Sequence, residues 1–198
     1  MKFWRCVLLI LLIAWNGSTD LHMSYAADLY HGRVVDEETG QPLSGAVLTV
    51  VWFRRPIIGL EGTRDFLSAQ EAVADSDGKF SLVASPGIDW SPFTYVEKEP
   101  KIVIYQPGYE PTWAGWLVRN KYGNGIEFAE ALKNGATVKL PKLKTKDEFL
   151  KFVNPSSLTH VVVSREAIPK LIQLVNIQRK MAGLTSFYSE ETKGGRKP

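Results

Sequence analysis

The run Ala46-Val-Leu-Thr-Val-Val-Trp-Phe53 carries one polar side chain in eight residues. So short a β-branched and aromatic run reads as a strand, and because successive strand side chains point to opposite faces, both faces are apolar. A strand of that kind belongs in the middle of a sheet, covered on both sides. It closes at Arg54-Arg55-Pro56, and the rest of the chain has to supply the cover.

The surrounding sequence fits that demand. From Tyr30 to about Leu143, short β-branched or aromatic runs alternate with Gly, Pro, Asn and Asp, the pattern of an antiparallel all-β domain. A first strand is expected over Tyr30 to Val35, ending in Asp36-Glu37-Glu38-Thr39-Gly40, where Gly40 supplies a positive φ without steric cost. Residues 57–72 lack strict periodicity and read as a long loop with a helical turn at Arg64 to Gln70. Ala72 to Ala84 reads as a hairpin turning at Asp77-Gly78, with Phe80, Leu82 and Ala84 on the core face. Lys101 to Tyr105 is another buried strand, and Asn124-Gly125 and Asn134-Gly135 are further turn signals. Ala136 to Leu140 should point Val138 and Leu140 inward. Lys142, Lys144 and Lys146 share their parity, so a strand end or bulge at Pro141 must exchange the faces.

Beyond Lys144 the period becomes helical. Thr145 and Glu148 form a capping box opening a short helix with Phe149, Leu150 and Val153, and Asn154-Pro155 ends it. A longer helix is expected from a cap at Ser164 to about Leu184, its first turn delayed by Pro169. Ile168, Leu171, Ile172 and Val175 share one face, with Leu174, Ile177, Met181 and Leu184 beside it, so the helix must bury a wide stripe against this domain or a partner.

Residues 1–26 have the make-up of a secretory signal peptide: Lys2 and Arg5, the apolar run Val7 to Ala14, and Ser24-Tyr25-Ala26 before the expected cut. That run is too short to span a bilayer and no later segment approaches the length needed, so no membrane span is expected after cleavage. A periplasmic or secreted location follows. Cys6 leaves with the leader, so the remaining 172 of 198 residues hold no disulfide and no thiol nucleophile. Losing Lys2, Arg5 and Asp20 takes the net charge from +3 to +2, without the basic stripe of a nucleic-acid binder.

The segments His31-Gly-Arg-Val-Val-Asp-Glu-Glu-Thr-Gly-Gln-Pro-Leu-Ser-Gly-Ala46, Ala74-Asp-Ser-Asp-Gly-Lys-Phe-Ser-Leu82 and Gln106-Pro-Gly-Tyr109 resemble, in that order, the carboxypeptidase regulatory-like domain family. The resemblance implies an all-β, seven-stranded Ig-like or transthyretin-like sandwich over residues 27–144. Residues 145–188 would then be a helical C-terminal extension and 189–198 a disordered tail. In carboxypeptidases this domain accompanies the zinc catalytic domain, so the family name implies no peptidase activity.

Candidate chemistry is sparse. There is no His-Glu-x-x-His helix and no Gly-x-Ser-x-Gly elbow, and Asp75-Ser-Asp-Gly78 lacks the other positions of a calcium loop. Neither a metal nor a cofactor is expected. A transthyretin-like hydrolase acting on 5-hydroxyisourate uses a histidine near the first strand and a C-terminal Tyr-Arg-Gly-Ser. The matching place here holds Arg33, and the tetrapeptide is missing. His31 and His160, the histidines left after cleavage, read as surface or hydrogen-bonded residues. Aromatic residues concentrate between Trp90 and Tyr122, and Tyr109, Trp113 and Trp116 are the candidate ligand-binding set. The expected function is therefore a non-catalytic exported module that binds an envelope protein through its loops or its C-terminal helix. Carbohydrate binding through the aromatics is the alternative.

Overall fold

A computed structural model of the chain describes residues 26–58, 63–114, 125–154 and 163–186. The strands are β1 (Asp28–Asp36), β2 (Val47–Pro56), β3 (Asp65–Val73), β4 (Lys79–Ala84), β5 (Thr94–Val96), β6 (Lys101–Tyr105), β7 (Thr112–Ala114) and β8 (Ala136–Leu140). The helices are α1 (Gly125–Lys133), α2 (Lys146–Lys151) and α3 (Pro169–Met181), with a 3-10 turn at Arg165–Ala167. One sheet has the order β4-β1-β8, the other β3-β2-β6-β7, with β5 also paired to β2. β5 and β6 follow one another along the same edge of β2, so these eight strands act as seven. The two-sheet, mostly β architecture expected from the sequence is present. The segment expected to be a signal peptide lies outside the described residues apart from Ala26, as do Val161, Val162 and the last twelve residues.

β2 is covered on both faces, as its composition demands. Leu48, Val50 and Trp52 meet Ile102 and Ile104 from the same sheet, Tyr30, Val34 and Phe80 from the other, and Phe128 and Leu132 of α1. The outer face of the larger sheet forms a second core, where Val103 and Tyr105 pack under Ile168, Leu171 and Val175 of α3. α3 is therefore seated on its own sandwich, while Ile177, Met181 and Leu184 on its adjoining stripe stay exposed. Three polar groups fix the seat. Glu71 of β3 accepts from the Lys170 and Leu171 backbone N–H groups at 2.9 and 2.8 Å, serving as the cap of α3. Burial raises its carboxyl pKa, and those two bonds pull it back only in part. The Tyr105 hydroxyl donates to the Phe152 carbonyl at 2.9 Å. Gln178 is fully buried between Gly108 and Phe149.

Several local expectations hold. Val138 and Leu140 are buried, the strand ends before Pro141, and Leu143 turns inward while Lys142 and Lys144 face water. The Thr145 and Glu148 capping box is formed. Phe80 and Ala84 are buried while Lys79, Ser81 and Val83 are exposed. Gly32 is required by close approach: a Cβ there would run into the Ala136 carbonyl where β1 and β8 pair in parallel.

Four expectations are corrected. Residues 65–73 form strand β3 rather than a loop with a helical turn, because pairing with the whole length of β2 outweighs the helical preference of Ala, Gln and Glu. The segment 72–84 is no hairpin, since β3 pairs with β2 and β4 with β1. The Asp75 to Gly78 turn instead carries the chain from one sheet to the other, with Asp75 Oδ1 accepting from Asp77 and Lys79. Gly125 opens α1 rather than a turn, and Asn124 lies outside the described residues. Ser164 does not cap the long helix; its hydroxyl bonds Glu166, and Pro169 forces a break at Ile168 before α3 begins.

Candidate functional site

Among the described residues, a concavity arises where β5 gives way to β6. Val96 faces Arg54 and Lys101 faces Val51, so five steps along this edge match three along β2. The two surplus residues cannot stay in the ladder, and Pro100 has no N–H to offer it. Glu97 keeps its N–H on the Phe53 carbonyl at 2.9 Å and Pro100 is buried, so Lys98 and Glu99 form the exposed bulge, near the register shift of β2 against β3 between Trp52 and Phe53. A cleft of about 500 Å³ results, bounded by Arg55, Arg64, Tyr95, Glu97, Lys101 and the first turn of α1.

Behind two of its lining residues lies the Phe53 ring, which is fully buried. The Arg64 guanidinium and the Lys101 ammonium cover it, 5.5 and 5.9 Å from the ring centroid. Two cations over one ring are attracted to it and repel each other. Arg55 is paired with Glu97, whose second oxygen is 3.9 Å from Arg64 Nη1. At that distance there is no hydrogen bond, and Arg64 Nη1 is buried without an acceptor. Burial, then the Arg64 charge, pushes the Lys101 pKa down to about 8, against the pull of Glu97. Lys98 and Glu99 stand exposed at the rim. The cleft therefore has four cations to two carboxylates, with part of its donor capacity unused.

Beside it lies an apolar tip. Ile57, Ile58, Trp90 and Phe93 are 61, 90, 72 and 76 % exposed. They come from two loops tied together: the Ile57 N–H donates to the Phe93 carbonyl at 2.8 Å, and Arg54 bridges Asp89 at 3.3 Å. Burial alone would raise the Asp89 carboxyl, but bonds from Thr94, Ser91 and Arg54 hold it below its usual range.

The residues singled out in the sequence fall elsewhere. Tyr109 lies beyond the opposite end of β6, half-buried, with its hydroxyl donating to Asp36 Oδ2 at 3.0 Å. Asp36 also accepts from Glu38 and Thr39, and the Thr39 bond is the main cause that keeps its carboxyl low. Tyr109 thus locks the turn after β1. Trp113 is in β7, paired with Val103, and Trp116 lies outside the described residues. His31 sits on β1 near Gly135 with Nδ1 buried and unbonded, and His160 lies outside the described residues. Arg33, at the place of the hydrolase histidine, donates to the Asp77 carbonyl at 2.8 Å. Among the described residues, no three His, Cys, Asp or Glu side chains converge to hold a metal ion, and no helix is long and apolar enough to cross a membrane.

No family model and no curated protein matches the chain. Among solved structures it is similar to a 9R-lipoxygenase from Cyanothece PCC8801, at 14 % identity and a TM-score of 0.24. That likeness covers 69 % of this chain and 20 % of the lipoxygenase, so the chain spans about a fifth of that protein's length.

Sequence reasoning missed Arg55, Arg64, Glu97 and Lys101 as a group. The visible trace was the pair of prolines, Pro56 and Pro100, each preceded by charged residues in an otherwise apolar strand region.

Proposed function

We propose that this chain is an exported, non-catalytic binding module of the periplasm or secreted space, built on a transthyretin-like sandwich of the carboxypeptidase regulatory-like kind. The fold assignment is supported by the glycines of the resembling segments: Gly40, Gly45, Gly78 and Gly108 take φ values of 69, 81, 74 and 86°. Turns at those places need residues without a Cβ. Export is supported by the leader sequence, and a non-catalytic role by the lack of a nucleophile–base motif in the sequence.

The observation that carries the binding role is the tip formed by Ile57, Ile58, Trp90 and Phe93, four large apolar side chains grouped in water. A grouped apolar patch of this kind marks a contact surface, and aromatic residues anchor such surfaces. Two isoleucines beside two aromatics suit the apolar pocket of an envelope protein better than a sugar ring, which needs a flat face. The helix stripe of Ile177, Met181 and Leu184 is a smaller second contact.

Co-sedimentation of the mature protein with envelope preparations tests the role. The expected result is binding that is lost after protease treatment of the envelope and weakened about tenfold by Ile58→Ser, Trp90→Ser and Phe93→Ser together. Unchanged binding by that triple variant, or no binding by the wild type, refutes it. Binding that survives protease but fails with the triple variant would favour the glycan reading, with Trp90, Phe93 and Tyr95 in place of the aromatics first expected.

A further inference from the structure

We infer that the cleft between β5 and β6 is a binding site for the oxyanion group of a small organic ligand, held between Arg64 and Lys101 with the ligand body against Tyr95. Two observations converge on it. Arg64 Nη1 is buried with no acceptor, although buried donors are almost always bonded, so the guanidinium has hydrogen-bonding capacity that the protein does not use. Arg64 and Lys101 are held together over the same buried ring although they repel, and an anion between them would relieve both.

Glu97 is the competitor. It is committed to Arg55, leaving Arg64 at the 3.9 Å margin, and therefore does not use that capacity. The shared chemistry is a carboxylate, sulfate or phosphate. Arg64 presents a planar donor fork suited to any of these, and Lys101 adds a point charge. Tyr95 is half exposed and offers an apolar surface to the uncharged part of such a molecule. A cleft of about 500 Å³ admits a ligand the size of one or two sugar rings, not a polymer fold.

Lys101 makes the site pH-sensitive. Its pKa of about 8 in the empty cleft should rise once an anion sits beside it, so binding takes up a proton above that pH. For a carboxylate or sulfate, whose charge is constant in this range, affinity should be level from about pH 6 to 7.5 and fall as the pH passes about 8. The charged groups facing Lys101 here are Arg64, Glu97 and Arg55, with Lys98 and Glu99 at the rim.

The test is a titration of the full mature protein, followed by amide chemical shifts, with inorganic phosphate, sulfate, glucuronate and uncharged glucose. The expected result is saturable shifts around residues 64 and 101 with at least one of the three anions and none with glucose, and the responding anion identifies the source. Arg64→Met and Lys101→Met retain the cover over Phe53 and should each weaken binding about tenfold. Glu97→Gln removes the competing charge and should tighten it, the opposite of what a merely structural role would give. The inference is overturned if no anion gives saturable shifts below about 50 mM, if the Met variants bind as the wild type does, or if Glu97→Gln weakens binding. The tip residues play no part in this site, so the triple tip variant should bind the anion normally whether or not it has lost its envelope partner.

Discussion

Replacing Gln178 with leucine isolates what one polar anchor contributes to the seat of α3. The side chain is fully buried, its Oε1 accepts from Gly108 N–H at 2.7 Å and its Nε2 donates to the Phe149 carbonyl at 3.3 Å. Leucine is close in volume and opens no cavity, so the change removes hydrogen bonds and little else. The Phe149 bond is long and that carbonyl sits in a short exposed helix where water can replace the amide. The Gly108 N–H is buried, and leaving such a donor without an acceptor costs about 1–3 kcal/mol. A net loss of about 2 kcal/mol corresponds to a Tm drop of about 4–8 °C for a chain of this length. Urea unfolding followed by tryptophan fluorescence and far-ultraviolet circular dichroism measures it, with an unchanged denaturant slope as the sign that only stability moved. Gln173→Leu is the control: the same substitution on the same helix at an exposed position, expected to stay within about 0.5 kcal/mol of the wild type. Equal stability of the two variants would refute the anchor.

Gly32→Ala should destabilise by about 3 kcal/mol, because the new methyl meets the Ala136 backbone carbonyl, which cannot move without opening the β1–β8 pair; a melt within 2 °C of the wild type would count against that register. Lys101→Met should stabilise the fold at pH 7 and reshape its pH profile. The folded-state pKa, about 8, lies below the ordinary 10.5, so both states are protonated below pH 8 and burial of the ammonium is a full penalty there. Between 8 and 10.5 the folded state sheds the proton first, and the penalty is relieved. The advantage of the variant over the wild type should therefore shrink across that window, and a constant gap in unfolding free energy would refute the assignment.

The layers were legible where a residue's own neighbours decide its place. Phe80 and Ala84 alternate with exposed residues, Pro141 reverses the parity, and Thr145 finds Glu148 three residues on. β3 was not legible, because Asp65 to Val73 is a half-covered edge strand rich in helix formers whose state is set by β2. α1 was within reach: Phe128, Ala129 and Leu132 recur at helical spacing among Glu127, Glu130 and Lys133, a signal masked by the Asn-Gly pairs at both ends. The cleft was out of reach. Arg55, Arg64, Glu97 and Lys101 meet only because one edge of β2 receives two residues too many, a mismatch that exists between strands and not within either.

The parallel pairing of β1 with β8 sets the order in which this molecule can assemble. Val34 and Val138 are partners 104 positions apart, and β1 is the central strand of its sheet. A growing chain can close the β2–β3 pair early but holds β1 with one edge open until residue 140 has emerged. Loop closure over that distance is entropically slow. Under the export reading proposed above, that delay would keep the sandwich incomplete for longer, the state in which an unfolded-chain export route would still accept it.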